Sequence, residues 1–356
     1  MDSSKIFMVL TNGFDPDVRV FKEAKFLVNL GYNVEILCWD RKGDYIDRAE
    51  ENIEGIYLKR FHIPSVLGSG IKQLLPFFKY IMAIRKYLKK QEFEYLYCHD
   101  FDGMFAGYSA TLFRKIKYIF DMHETYSAKL KLLVKYFIKK SKKTVYVNDD
   151  QLKFLGLDKN EKLIHLPNYP EEINYLPVEK EKSEALKINY IGYLRDYEAL
   201  KTLMDVAKEK SDLEVGLYGI GVSYQKLKEE NTLRNVKIYG KFDGINEISE
   251  IYRKTDILYC VYNPQIENWR TAYPVKLYEA LITKTPVIVC KDTRAGEFVE
   301  ENNIGQTVEY GNRDSLNEAI EKIKEHYDTY VKNLGKIRDT YKWEGIVKNL
   351  EKIFID

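Results

Sequence analysis

Short runs of β-branched and aromatic residues alternate along the chain with longer stretches whose apolar positions recur every three to four residues, the pattern of parallel sheets covered by helices. In the first half the runs predict strands at 6–11, 34–37, 56–62, 95–98, 118–121, 144–147 and 163–166, with amphipathic helices at 17–30, 71–90 and 128–140. The second half repeats the theme, with strands at 187–191, 214–218, 236–238, 257–260, 287–289 and 307–308. Between the halves lies PNYPEEINYLPVEKEKSEALK, three prolines followed by mixed charges, which continues neither a central strand nor a helix and sets a junction near 167–183. The fold class expected is α/β, with two Rossmann-like parallel-sheet domains facing an interdomain cleft lined by the C-terminal ends of their strands, where open α/β sheets bind ligands.

The length of 356 residues agrees, since it exceeds the ~100–150-residue mode for one domain. A chain that is 45% hydrophobic and 31% charged, with 9 Pro and 20 Gly, is neither disordered nor collagen-like nor of low complexity. Cys38, Cys98, Cys260 and Cys290 are too widely spaced for a disulfide framework or zinc site, and read as reduced thiols of a cytoplasmic protein. The opening MDSSKIFMVLTNGF lacks the features of a signal peptide, and no apolar run approaches the ~18–20 residues of a membrane span, so neither secretion nor membrane insertion is expected. The net charge of +2 hides an asymmetry: residues 1–170 carry 28 Lys and Arg against 21 Asp and Glu, residues 171–356 carry 28 against 33. The excess concentrates in residues 59–143, 18 basic against 6 acidic, which points that region at something anionic.

Candidate chemistry sits where predicted strands end. The first strand runs into T-N-G-F-D-P-D-V-R-V, where Gly13 allows close backbone approach and Pro16 suits the first turn of the next helix. Cys98-His99-Asp100 and Asp121-Met122-His123-Glu124 each follow a strand, so both histidines are expected at the sheet's C-terminal edge, facing the cleft. In the second half, Tyr273-Pro274-Val275-Lys276-Leu277-Tyr278-Glu279-Ala280 places Pro274 where a helix begins, and free N–H groups at such a terminus attract phosphate. Glu279 follows within that helix, where a carboxylate can accept both hydrogen bonds of a ribose diol; the plainer alternative is a solvated side chain paired with Lys276.

In order with EYLYCHDFDGMFAGYSA, YIFDMHETYS, IHLPNYP, NYIGYLRDYEALKTLMDVA, LYGIGVSYQKL and YPVKLYEALITKTPVIV, that first segment resembles the family 4 (group 1) glycosyltransferases of the GT-B fold over essentially the whole chain. The resemblance implies a nucleotide-diphosphate-sugar donor on a C-terminal domain (168–340) and an acceptor on an N-terminal domain (1–167 with a returning helix in 341–356 anchored by Trp343). It also implies transfer with retention of anomeric configuration and no cofactor or metal. Glu279 would hold the donor ribose, and the turn Tyr273, Pro274, Val275, Lys276 and Leu277 the diphosphate and sugar. His123 would stand near the transferred sugar as hydrogen-bond donor or proton relay. Gly13 would line the donor sugar, Phe14, His99 and Asp100 would shape the acceptor side, and Glu124 would join them or cap the next helix.

Two positions depart from the family pattern. A second glutamate is common eight residues before Glu279, but here that position is Thr271, so sugar hydroxyls would be met by Thr271 or Tyr273 and phosphate by Arg270. The arginine and lysine that many relatives carry after the glycine equivalent to Gly192 are replaced by Tyr193 and Glu198-Ala199. Arg195 is the nearest substitute, with Arg270 and Lys276 as further cations, because a metal-free site must stabilise the departing nucleotide with fixed donors. Arg195 reads equally well as a solvated loop cation. Competing functions are a nucleotide-sugar epimerase or hydrolase on the same fold, and a non-catalytic GT-B partner subunit.

The acidic pairs Asp15/Asp17, Asp100/Asp102 and Asp149/Asp150 each open a predicted helix and read as caps, not metal ligands. Gly219-Ile220-Gly221 is not completed by a third glycine, position 224 being Tyr, so no nicotinamide cofactor is expected; nor is nucleic acid, for want of a reading module. Residues 127–144 hold Lys129, Lys131, Lys135, Lys139, Lys140, Lys142 and Lys143 and no acid, interleaved with leucines and aromatics. With the similar stretch 71–90 they read either as sheet-covering helices with solvated lysines or as a face for an anionic membrane. The expectation is a cytoplasmic enzyme of polysaccharide biosynthesis, peripheral on the inner face of the membrane, acting on a glycan or lipid-linked glycan.

Overall fold

The computed structural model describes residues 5–14, 17–66, 70–124, 126–175, 180–181, 183–244 and 246–354, so Asp15 and Pro16 lie outside the described residues. Eight strands of the first half form one sheet: β1 (Lys5–Leu10), β2 (Asn33–Asp40), β3 (Glu50–Ile53), β4 (Ile56–His62), β5 (Tyr95–His99), β6 (Lys117–Met122), β7 (Lys143–Tyr146) and β8 (Leu163–His165), in the order β3-β4-β2-β1-β5-β6-β7-β8. Every pairing is parallel except β3 with β4. The near-continuous apolar runs of β1 and β2 match a sheet covered on both faces. No such run marks β3, a polar edge strand without a buried position.

The helices of this half are α1 (Val18–Asn29), α2 (Leu74–Leu88), α3 (Asp100–Ala110), α4 (Lys131–Lys140) and α5 (Asp149–Leu155). Side chains of the last four, among them Tyr80, Ile84, Met104, Phe137 and Leu152, share one core with Phe7, Val9, Leu96 and Phe120 of the sheet. Asp17 caps α1 by accepting the Val20 N–H at 3.3 Å, as expected. At α5 the cap is Asn148, while Asp149 and Asp150 pair with Lys159 and Lys153.

The second half builds β9 (Leu186–Ile191), β10 (Leu213–Tyr218), β11 (Val236–Gly240), β12 (Ile257–Cys260), β13 (Val287–Cys290) and β14 (Gly305–Val308), all parallel, in the order β11-β10-β9-β12-β13-β14. Its helices are α6 (Tyr197–Glu209), α7 (Tyr224–Glu230), α8 (Ile248–Arg253), α9 (Glu267–Thr271), α10 (Val275–Thr283), α11 (Arg294–Asn302) and α12 (Arg313–Ile337), the last broken by non-helical backbone at His326. Its core joins β9, β10 and β12 to α6 and α12 through Ile188, Leu203, Leu217, Tyr259 and Ile320.

The chain divides into two compact units, Met1–Asn168 with Ile346–Asp356, and Tyr169–Gly345. The return to the first unit thus begins at 346 rather than 341. Trp343 is buried, but it belongs to the second unit, because its N–H donates to the Pro170 carbonyl (3.1 Å) and the neighbouring Glu344 carboxylate accepts the Glu172 N–H (2.9 Å). The returning segment is mostly a run of 3₁₀ turns, Val347–Ile353, that buries Leu350 and Ile353. Phe354 stacks on Tyr32 at 4.6 Å and meets Tyr95 edge-on at 5.0 Å.

Candidate active site

In the first unit the strand-end residues converge on a buried carboxylate. Asp121 Oδ2 lies 3.0 Å from His99 Nδ1 and 2.9 Å from His123 Nδ1, and Arg19 of α1 grips both oxygens, Nη2 to Oδ1 at 2.7 Å and Nε to Oδ2 at 3.1 Å. The other ring nitrogen of His123, Nε2, is 2.8 Å from Asp100 Oδ2. An imidazole with a carboxylate on each nitrogen carries a proton on both. Burial works against the charged ring, but Asp100 and Asp121 outweigh it and hold His123 well above the usual imidazole range. Burial likewise pushes the Asp121 carboxyl up, and Arg19 with His123 overcomes it and holds the group well below the usual carboxylate range.

Asp100 is set for this role by a left-handed backbone (φ 56°), and its Oδ1 also accepts the N–H groups of His123 (3.3 Å) and Glu124 (3.2 Å) and the Tyr126 hydroxyl (3.2 Å). It therefore fixes the turn after β6 instead of capping α3. His99 departs from expectation: it is sealed rather than open, stacked on Tyr97 at 4.7 Å, and its Nε2 finds no hydrogen-bond partner among the described residues. Glu124 is exposed and caps no helix among the described residues. Phe14 is also a correction, because its side chain is buried against Phe21 (6.4 Å) and shapes no open surface. Gly13 packs under Tyr45, whose ring carbon would stand 2.6 Å from a Cβ there, and its carbonyl accepts Arg60 Nε at 2.9 Å. His99, Asp121 and His123 offer ligand atoms within 4.8 Å of one another, but Arg19 already occupies the carboxylate and both nitrogens of His123 face carboxylates.

In the second unit the site gathers around Gly192, which leaves β9 at φ 126° and donates its N–H to the Tyr218 carbonyl at 2.8 Å. A Cβ at this position would stand 2.6 Å from Cε and 2.8 Å from Nζ of Lys276, so the lysine of α10 lies directly on the turn. Lys276 Nζ donates to the Tyr262 hydroxyl (2.7 Å) and sits 4.1 Å from the Tyr190 ring centroid. Pro274 is the N-cap of α10, and the first N–H groups, those of Val275 and Lys276, have no intrahelical partner. Leu277 N–H bonds back to the Pro274 carbonyl at 2.9 Å, and its side chain is buried.

Glu279, one turn further, accepts the Tyr175 hydroxyl on Oε1 (3.0 Å) and the Tyr252 hydroxyl on Oε2 (2.8 Å), the geometry of a carboxylate that receives two hydroxyls at once. Tyr273 packs parallel to Tyr278 (6.5 Å) and edge-on to Phe298 (6.1 Å). Thr271 returns its hydroxyl to the Glu267 carbonyl of its own helix at 2.9 Å. Arg195 is exposed beside Tyr193 (5.5 Å), and Arg270 is exposed on the five-residue α9. The basic segment splits: Lys129 precedes α4, Lys131, Lys135, Lys139 and Lys140 ride on it, and Lys142 and Lys143 leave it, the first over the Tyr95 ring (5.4 Å) and the second donating to the Glu161 carbonyl (3.1 Å).

Residues 172–337 match the family of group 1 glycosyl transferases, and residues 17–159 match glycosyltransferase family 4. No curated protein sequence matches the chain. Solved structures share the fold along almost the whole length: sucrose-phosphate synthase from Thermosynechococcus elongatus is 13% identical with a TM-score of 0.77, over 98% of each chain. A glycosyltransferase from Rickettsia africae is 16% identical (TM-score 0.72) over 99% of this chain and 98% of its own. HepE of Anabaena, in complex with UDP and glucose, is 13% identical (TM-score 0.70) over 97% of this chain and 98% of its own. The two family matches, in sequence along the chain, make the protein a family 4-like, group 1 glycosyltransferase, and its two largely parallel sheets with these neighbours show the GT-B fold.

Proposed function

We propose that the protein transfers a sugar from a nucleotide-diphosphate donor to a glycan or lipid-linked glycan, with retention and without a metal. The observation that carries this reading is the seat of Lys276, a cation resting on the Gly192 turn at the start of α10. There one fixed charge and the free N–H groups of a helix terminus act together on a diphosphate. Lys276 takes the part that the in-register residues Tyr193 and Glu198 cannot play. The donor ribose exchanges with the tyrosine hydroxyls on Glu279. UDP with glucose in HepE, and ADP in starch synthase IV of Arabidopsis thaliana, support a nucleotide ligand of this class.

Both ring nitrogens of His123 face carboxylates, those of Asp121 and Asp100, so the ring holds its protons there and is no general base. That leaves the departing phosphate to take the acceptor's proton: the bond from the anomeric carbon to the phosphate oxygen breaks, the acceptor oxygen bonds to the same face, and its proton passes to the phosphate. Calorimetric titration with UDP, GDP, ADP, CMP and their sugars, with and without chelator, tests the donor site. One nucleotide is expected to bind regardless of chelator, and Lys276→Met to weaken it by about tenfold or more, the worth of a charge-assisted hydrogen bond. Unchanged affinity in that variant would remove Lys276 from the site.

A further inference from the structure

Among the described residues, ten of the twenty exposed large apolar side chains fall between positions 74 and 136, eight on three neighbouring helices and two, Leu112 and Phe113, just past the second of them. On α2, Leu74 (63% exposed), Phe78 (58%) and Met82 (47%) follow one another at i+4 spacing and form a stripe, while Tyr80, Ile81, Ile84 and Leu88 face the core. α3 lies beside α2, with Phe77 and Phe105 rings 6.0 Å apart, and α4 beside α3, with Phe105 and Phe137 at 6.3 Å and the Tyr108 and Tyr136 hydroxyls at 2.9 Å. To this surface α4 adds Leu132 (81% exposed), and Phe113, just past α3, is 94% exposed. A groove of about 320 Å³ opens into the same surface, walled in part by Leu74, Phe77, Phe101 and Phe105. Apolar exposure gathered in this way marks an interaction surface, unlike single scattered side chains.

The charge on the two flanking helices has one sign, while α3 brings Asp100, which is bound to His123, and Asp102, which shares the groove wall with Arg41. Lys79, Arg85 and Lys86 lie on α2 and Lys131, Lys135, Lys139 and Lys140 on α4, and neither helix holds an Asp or Glu. Apolar side chains among cations match a bilayer whose surface is anionic and whose interior is hydrocarbon. Nucleic acid would use the charge but not the exposed leucines. We propose that the outer face of α2, α3 and α4 docks on an anionic lipid bilayer, with Leu74, Phe78 and Leu132 entering the headgroup boundary and the lysines meeting lipid phosphates. Among the described residues no helix is long and apolar enough to cross a membrane, so the contact is peripheral.

Flotation of the full chain with phosphatidylglycerol–phosphatidylcholine vesicles, against phosphatidylcholine alone, tests the surface without any donor or acceptor. The protein is expected to float only with the anionic vesicles, and less so as salt is raised. Exchange of the exposed Lys79, Lys139 and Lys140 for Gln is expected to cut binding on the order of a hundredfold. The pair Phe78→Ser and Leu132→Ser is expected to abolish it. Both variants change exposed side chains only, so their circular dichroism, melting temperature and nucleotide affinity are expected to match the parent, which separates this surface from the donor site. Failure of the parent protein to float, or equal flotation of parent and variants, overturns the proposal. So does sedimentation of the parent as a dimer that Phe78→Ser and Leu132→Ser together convert to a monomer, which would assign the face to self-association.

Discussion

Asp121 has no exposed surface and three cationic or hydrogen-bonding neighbours, so the protonation of His123 is decided largely by its two carboxylates. The sign of the pH dependence follows. His123 has its proton affinity raised, so its stabilisation is fully present below its unfolded value of ~6.5 and is lost as pH rises through the higher folded value. Asp121 is depressed, so its stabilisation is present above ~3.9 and is lost as pH falls through the lower folded value. Resistance of the parent to urea is therefore expected to fall on the alkaline side, and His123→Gln to lack that decline; parallel curves would show that the ring is neutral in the fold. The histidines were legible in the sequence as strand-end residues with Asp100 and Asp121 in the same motifs, but the buried Arg19 that grips Asp121 was not. Arg19 and Glu23 lie on a helix that spacing alone would assign a solvated polar face, yet both are buried and paired at 3.0 Å.

At the level of elements, thirteen of the fourteen strands among the described residues are visible as apolar runs, and the polar β3 is not, because an edge strand need not bury either face. The donor-site cation is a similar case. A search along the chain after Gly192 meets Tyr193 and Glu198, whereas Lys276 arrives from 84 positions later because β12 is inserted beside β9, bringing the start of α10 to the β9 turn. That adjacency is a property of strand order, which local spacing does not contain. Gly192→Ala probes it: the backbone at φ 126° strains any side chain, at about 1–3 kcal/mol, and the new methyl displaces Lys276. The variant is expected to lose stability in thermal melts and nucleotide affinity in calorimetry together. Retention of full affinity would mean that Lys276 can leave the turn without consequence for the donor.

Across the whole molecule, the opposite charge of the two halves was readable from composition, and so was a two-unit chain, but the place where the C-terminal segment changes allegiance was not. An aromatic residue marks a buried point without saying against which unit it is buried. Trp343 is fixed on the second unit by a backbone hydrogen bond to Pro170, and from Ile346 onward the chain belongs to the first, through Leu350, Ile353, Phe354 and the Asn349 amide, which donates to the His165 carbonyl at 3.1 Å. Deleting residues 346–356 should therefore strip the first unit alone. Leu350 and Ile353 are fully buried, and at ~1.5–3 kcal/mol for each such side chain the loss is a large part of a domain's stability. Hydrogen exchange is expected to accelerate in α1, β8 and the β1–β2 pair while the amides of β9 to β14 stay protected. Equal acceleration in both sheets would show that the segment stabilises the units jointly, and no change in either would show that its buried contacts do not hold in solution.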